Sequence, residues 1–313
     1  MSKSAFLGSS LAKKYWMALT GLFLCTFLIG HLIGNLQLIF KTGEEGRRAF
    51  NEYAYFMQHN IFIKVLSYVT YLSILFHAVD GIYLAVKNKQ ARPQKYAYNN
   101  PGANSSSASR NMAVLGTLIL IFIVTHMVNF WAKMRFTTMP LYTTEKTISM
   151  PVGVNPQTGE QMTRALDVEY VLTTAGDFKE YAYVDPNTQK KEFLLDVKHG
   201  TTLYNKKDGE SLQASGLKVG EAYKDLHSAV FGFFGRENPT YPVNSLALWA
   251  TILYVLSMAV LAFHLWHGFA SAFQSLGLRH KRYTPAIAIT GKLFSIIVPL
   301  LFAIIPVLIF IGK

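Results

Sequence analysis

Apolar residues along this chain come in long unbroken blocks rather than in stripes. Five blocks reach the roughly 20 residues that a helix needs to cross bilayer hydrocarbon: 16–40, 61–86, 112–131, 245–274 and 292–311. A surface helix of a soluble domain would interrupt such runs with a polar face every turn. The pattern therefore predicts an all-α integral membrane protein with five transmembrane helices. Between the third and fourth blocks the pattern changes in kind. Short β-rich runs at 167–173, 179–184 and 192–197 alternate with turn signals at Asn155-Pro156, Asp185-Pro186-Asn187 and Asp208-Gly209. They predict a small β-containing extramembrane insertion between helices 3 and 4. The chain is thus divided into 1–134 (three spans), 135–244 (the insertion) and 245–313 (two spans).

Composition agrees with a bilayer setting: of 313 residues, 51% are hydrophobic and only 15% charged. The net charge of +12 raises the question of nucleic acid. The Lys and Arg residues, however, cluster beside the apolar blocks and form no aromatic-interleaved basic patch, which excludes that partner. Lys3, Lys13 and Lys14 precede the first block; Lys87, Lys89, Arg92, Lys95 and Arg110 fill the second loop; Arg279, Lys281 and Arg282 occupy the fourth. In the first loop Lys41, Arg47 and Arg48 are balanced by Glu44, Glu45 and Glu52. The positive-inside rule then places the N-terminus in the cytoplasm, with the insertion and the C-terminus on the outer face; Lys133 and Arg135 run against it. The run 16–40 exceeds a signal peptide's apolar core and lacks a small-residue cleavage site, so it is expected to be an uncleaved first span. Cys25 is the one cysteine, and no C-x-x-C-H sequence exists for covalent haem attachment.

Four of the blocks carry a histidine deep inside: His31, His77, His126 and His264. Titratable rings are costly in hydrocarbon without a partner, and neutral imidazole is the commonest metal ligand. Depth sorts them. At 1.5 Å per residue, His31 lies roughly 22 Å above the start of an outward-running helix, and His126 roughly 21 Å above the start of another. His77 descends roughly 24 Å from the outer edge, and His264 descends similarly. Two levels result: His31 with His126 in the outer half, His77 with His264 in the inner half. A four-helix haem-binding core could carry two bis-histidine haems in this way.

An internal echo supports the inner pair: 76–81 (Phe-His-Ala-Val-Asp-Gly) resembles 263–268 (Phe-His-Leu-Trp-His-Gly). Gly81 and Gly268 follow their histidines by one turn, and Gly34 follows His31 by three residues with Gly30 beside it, where a side chain would collide with a flat macrocycle. Small residues and membrane histidines also serve helix–helix contact, so no single pair decides the matter. His267, one turn from His264, is the alternative ligand, and the echo with His77 favours His264. His199 and His227, in the insertion, read as solvated or structural.

These residues resemble the di-haem cytochrome b subunit of succinate dehydrogenase/fumarate reductase, the five-helix single-anchor type of respiratory complex II. The likeness lies in 14–21 (Lys-Tyr-Trp-Met-Ala-Leu-Thr-Gly), 31–36 (His-Leu-Ile-Gly-Asn-Leu), 76–81, His126, 263–268, and the stretch from Asp225-Leu226-His227 to Pro239-Thr240-Tyr241. The segment 141–221 is longer than such proteins usually carry. The resemblance implies His31, His77, His126 and His264 as axial ligands of two haems b. It implies a flavoprotein subunit and an iron–sulfur subunit on the cytoplasmic face of a bacterial inner membrane, and menaquinone or another quinone as the electron partner at the outer haem. The chain itself would do no succinate chemistry, and a higher-order oligomer is a further expectation.

A quinone site near the outer haem needs an apolar slot with a few polar groups. Glu52 is the acid/base candidate, with Asn35, Gln37 and Asn129 as lining; the alternative for Glu52 is pairing with Arg47 or Arg48 on an interfacial helix. Asp80, one turn from His77, is expected to bond a ligand ring or face the headgroups. Lys14, Lys89, Arg92 and Arg279 sit at the level of inner-haem propionates, where lipid headgroups compete for them. Competing functions are the di-haem cytochrome b of a hydrogenase or formate dehydrogenase, and a haem-free transporter using its histidines for protons or metal. Transporters commonly unwind helices at their sites, whereas these blocks run unbroken through the histidines.

Overall fold

The computed structural model describes residues 9–312 apart from 92, 95–99, 144–146, 168–170, 176–179, 185–190, 193–194, 199–201 and 206–217. Lys3, Arg92, Lys95, His199 and the turns expected at 185–187 and 208–209 lie outside the described residues. The chain divides into two compact bodies: Met1–Ile39, Met57–His126 and Leu246–Lys313 form the first, Phe40–Phe56 and Met127–Ser245 the second. The second therefore takes in a loop helix and the end of the third span as well as the insertion.

Among the described residues five helices are long and apolar enough to cross a membrane: α1 (Ser10–Phe40), α3 (Ile61–Gln90), α4 (Met112–Phe136), α6 (Ala247–Ser275) and α7 (Thr284–Ile311). Between them lie α2 (Gly43–His59) and α5 (Leu226–Phe233). The spans overrun the apolar blocks at charged ends: α1 begins at Ser10 and α3 continues through Lys87 and Lys89. Lysine is a good helix former, so hydropathy marks where hydrocarbon ends, not where the helix does. Asn60 starts α3, its side chain accepting from the backbone N–H of Phe62 (2.9 Å) and Ile63 (3.2 Å), a cap worth about 1 kcal/mol. Pro299 and Pro306 lie inside α7, which continues through both. In α4 the backbone widens into a π-helical stretch, Met127–Ala132, immediately after His126. Such stretches tend to occur at functional positions.

Within the first body α6 packs closely on α7. A Cβ added at Gly291 would lie 2.7 Å from the ring of Phe269, so only glycine permits this approach. On α1 and α3, Lys13 Nζ meets Asp80 Oδ1 at 2.9 Å and lies over the Tyr83 ring. This corrects the expectation for Asp80. It is buried and takes Lys13, neither a ligand ring nor the headgroups, because a buried carboxylate needs a cation more than a neutral donor.

Among its described residues the second body holds three antiparallel sheets. One is four-stranded in the order β1 (Leu141–Thr143), β9 (Lys218–Lys224), β8 (Thr202–Asn205), β7 (Leu195–Lys198). A hairpin pairs β2 (Thr147–Val154) with β3 (Gln161–Asp167) across a turn at 155–160, where Gly159 adopts φ +68°. β4 (Val171–Ala175), β5 (Glu180–Val184) and β6 (Lys191–Glu192) form the third. The expected run 179–184 corresponds to β5; 167–173 straddles β3 and β4, and 192–197 is split between β6 and β7.

Asp225 ties this body together. Wholly buried, it receives Arg47 Nη2 at 2.6 Å, Asn51 Nδ2 at 3.0 Å and the Thr240 hydroxyl at 2.5 Å, and it caps α5 through the Ser228 N–H at 3.2 Å. Asn51 also accepts from the His227 N–H at 3.0 Å. One carboxylate thus joins α2, α5 and the chain leading to α6.

Candidate functional site

All four membrane histidines lie in the first body, and their rings meet in two pairs. His31 on α1 faces His126 on α4 with ring centroids 5.9 Å apart and planes at 90°. His77 on α3 faces His264 on α6 at 6.2 Å and 67°. The sequence expectation paired them in this way from depth alone. It is His264, not His267, whose ring opposes His77; His267 lies one turn further along α6, half-buried.

A metal held by one nitrogen of each ring, with bonds of about 2 Å, would separate the centroids by about 6 Å. Bare rings also pack edge-to-face over this range, but then the buried Nδ1 of His264 has no hydrogen-bond partner among the described residues. The donor set is informative. Among the described residues no group of three or more His, Cys, Asp or Glu gathers as it would for an ion held by protein alone. Zinc takes three or four protein ligands, whereas an iron whose equatorial positions belong to a porphyrin takes two axial ones. Two imidazoles at each level fit haem and fit zinc poorly.

The surroundings of each ring differ. His77 Nδ1 lies 3.2 Å from the Met17 carbonyl and 3.3 Å from the Thr20 hydroxyl oxygen. A carbonyl only accepts, so Nδ1 carries the hydrogen and Nε2 keeps its lone pair. His126 Nδ1 is 3.3 Å from the Tyr254 hydroxyl. His31 has Phe27 stacked at 5.4 Å and Phe302 at 5.7 Å, and Asn35 Nδ2 sits 3.5 Å from both ring nitrogens. His264 Nδ1 is buried with no hydrogen-bond partner among the described residues.

The glycines expected to clear a macrocycle are placed as follows. Gly34 is buried, and Gly30 has open space beside it. A Cβ added at Gly81 would meet the methyl end of Met17 at 3.8 Å, and one at Gly268 the methyl end of Met112 at 3.8 Å. The glycines that lie against the His77 and His264 rings are two that sequence reasoning missed. An added Cβ would lie 3.1 Å from His77 Cε1 at Gly21 and 3.7 Å from His264 Cε1 at Gly116. A signal existed: Met17, Gly21 and His31 share their spacing with Met112, Gly116 and His126.

Of the quinone candidates, Asn35 and Gln37 belong to the first body, Asn129 and Glu52 to the second. Asn35 is turned back on its own helix, donating to the His31 carbonyl at 2.8 Å. Glu52 pairs with Arg48 at 2.6 Å on the exposed side of α2, the alternative foreseen for it, while Arg47 goes to Asp225. Asn129 lies in the π-helical stretch. Lys14, Lys89 and Arg279 are exposed. His227 is buried against Phe231 (4.0 Å) and Phe50 (6.1 Å), which makes it structural rather than solvated. Compared with family models, with curated proteins and with solved structures, the chain matches none.

Proposed function

We propose that the chain is the membrane-anchor cytochrome b of a succinate:quinone oxidoreductase, holding two haems b at two levels of its helix bundle. The observation that carries this reading is the opposition of two imidazoles at each of two levels, His31 with His126 and His77 with His264. When bound, the haems would supply one-electron carriers between an iron–sulfur donor and a quinone. Everything else falls to the protein. The Met17 carbonyl fixes the Nδ1–H tautomer of His77 and so leaves Nε2 for the metal. Gly21 and Gly116 keep side chains away from the inner rings, and Phe27 and Phe122 wall the outer ones. Gly21 faces His77, and His31 lies ten residues further along α1; Gly116 and His126 are spaced alike on α4. Both helices therefore put the two levels about 15 Å apart.

The assignment to succinate chemistry rests on the residues that resemble complex II anchors, from Lys14–Gly21 through Phe263–Gly268. On that reading the flavoprotein and iron–sulfur subunits dock on the cytoplasmic side. Menaquinone or another quinone is served at the level of His31 and His126, with Asn35 and Gln37 as candidates to line its site. The test uses membranes carrying the assembled complex. Succinate is expected to reduce the haem absorbance of this chain. His77→Ala and His126→Ala are each expected to abolish electron flow to quinone, while succinate oxidation with a soluble artificial acceptor persists. Undiminished flow to quinone in both variants contradicts the proposal.

A further inference from the structure

The helix pairs α1–α3 and α4–α6 carry one pattern. Met17, Ala18, Gly21, Phe27 and His31 recur at the same spacing as Met112, Ala113, Gly116, Phe122 and His126. Phe76, His77 and Gly81 recur as Phe263, His264 and Gly268. The contacts recur as well. In each pair the glycine of the first helix faces the histidine of the second, Gly21 to His77 and Gly116 to His264. The glycine of the second helix faces the methionine of the first, Gly81 to Met17 and Gly268 to Met112, both at 3.8 Å. A phenylalanine one turn before the first-helix histidine packs on its ring, Phe27 on His31 at 5.4 Å and Phe122 on His126 at 5.7 Å.

We propose that the bundle is two copies of one helix pair, each iron site taking one imidazole from each copy. We further propose that Thr20, which has no counterpart in the second copy, is a positioning residue that makes His77 a stronger ligand than His264. The inference rests on the di-haem reading above.

The chemistry follows from who donates to whom. The Thr20 hydroxyl gives its hydrogen to the Trp16 carbonyl at 2.7 Å, which leaves its oxygen facing the Nδ1–H of His77 at 3.3 Å. That N–H is thus shared between two acceptors, Thr20 Oγ1 and the Met17 carbonyl. Acceptors on Nδ1–H raise the basicity of Nε2 and favour ferric over ferrous iron. In the second copy Leu115 occupies the position of Thr20, and a leucine offers no acceptor. The Nδ1 of His264 is correspondingly buried and, among the described residues, unpartnered. The inner pair is therefore built from one supported and one unsupported imidazole.

The experiment is a spectroelectrochemical titration of the purified full chain, resolving the midpoints of its two haems. Thr20→Val keeps the shape and removes the acceptor. It is expected to raise one midpoint by roughly a tenfold change in the reduction equilibrium, about 59 mV for a one-electron couple, and to leave the other in place. Leu115→Thr supplies the missing acceptor and is expected to lower the same midpoint. It also carries the test alone if Thr20→Val fails to assemble. Two haems with both midpoints unmoved, or a shift of opposite sign, overturn the role of Thr20 while leaving the di-haem reading standing. Absence of haem from the unsubstituted protein overturns the di-haem reading itself.

Discussion

Asp225 and His227, two residues apart, solve the problem of burial in opposite ways. Burial alone would raise the Asp225 carboxyl, but the Arg47 guanidinium, Thr240 and Asn51 hold it below the usual aspartate range. A carboxyl whose pKa is lower folded than unfolded stabilises the fold above its ordinary pKa, and that contribution fades as pH falls through the folded value. Arg47→Met leaves the carboxylate buried without its cation and is expected to cost about 3–5 kcal/mol, measured by denaturant unfolding of the full chain in detergent. Adding Asp225→Asn to that variant is expected to restore part of the loss. Among the described residues His227 has no such partner: both ring nitrogens are buried and unbonded, and burial pushes the ring down to about 4 from 6.5. The unfolded chain then binds the proton first, so stability contributed above pH 6.5 is lost as pH falls towards 4. His227→Phe keeps the stack on Phe231 and is expected to flatten the unfolding profile across that window; an unchanged slope would contradict this origin. At this scale the four ligand candidates were legible because a polar ring in hydrocarbon stands out. Asp225 was not, since its meaning depends on Arg47, 178 residues away in the chain.

Among the elements, the five spans were legible because hydrocarbon imposes one length and one composition on every crossing helix. Their ends were not, because Lys13, Lys14, Lys87 and Lys89 extend a helix as readily as apolar residues do. Neither was the π-helical stretch after His126, which depends on backbone bonding that no residue pattern announces. The sheets were legible only as a β-rich region, since β1 and β9 pair residues as distant as Leu141 and Lys224. The close approach of α1 to α3 gives an element-level prediction. Gly21→Leu places a bulky side chain where a Cβ already lies 3.1 Å from the His77 ring. It is expected to eject one haem and leave the other, seen as a halved haem-to-polypeptide ratio. A ratio unchanged from the parent would mean that His77 does not depend on that clearance.

For the molecule as a whole, the central claim is that two imidazole pairs each hold one iron porphyrin. The pairing was legible in the sequence from helix depth, and one half of the repeated pattern from the echo of 76–81 in 263–268. The recurrence of 17–31 at 112–126 was present in the sequence but gained meaning only from the contacts of Gly21 and Gly116. The most direct measurement is the haem content of the purified full chain with single alanine replacements at His31, His77, His126, His264 and His267. The expected result is two haems in the parent and in His267→Ala, with at least one lost from each of the other four. A colourless parent, or loss on replacing His267 with retention on replacing His264, would contradict it.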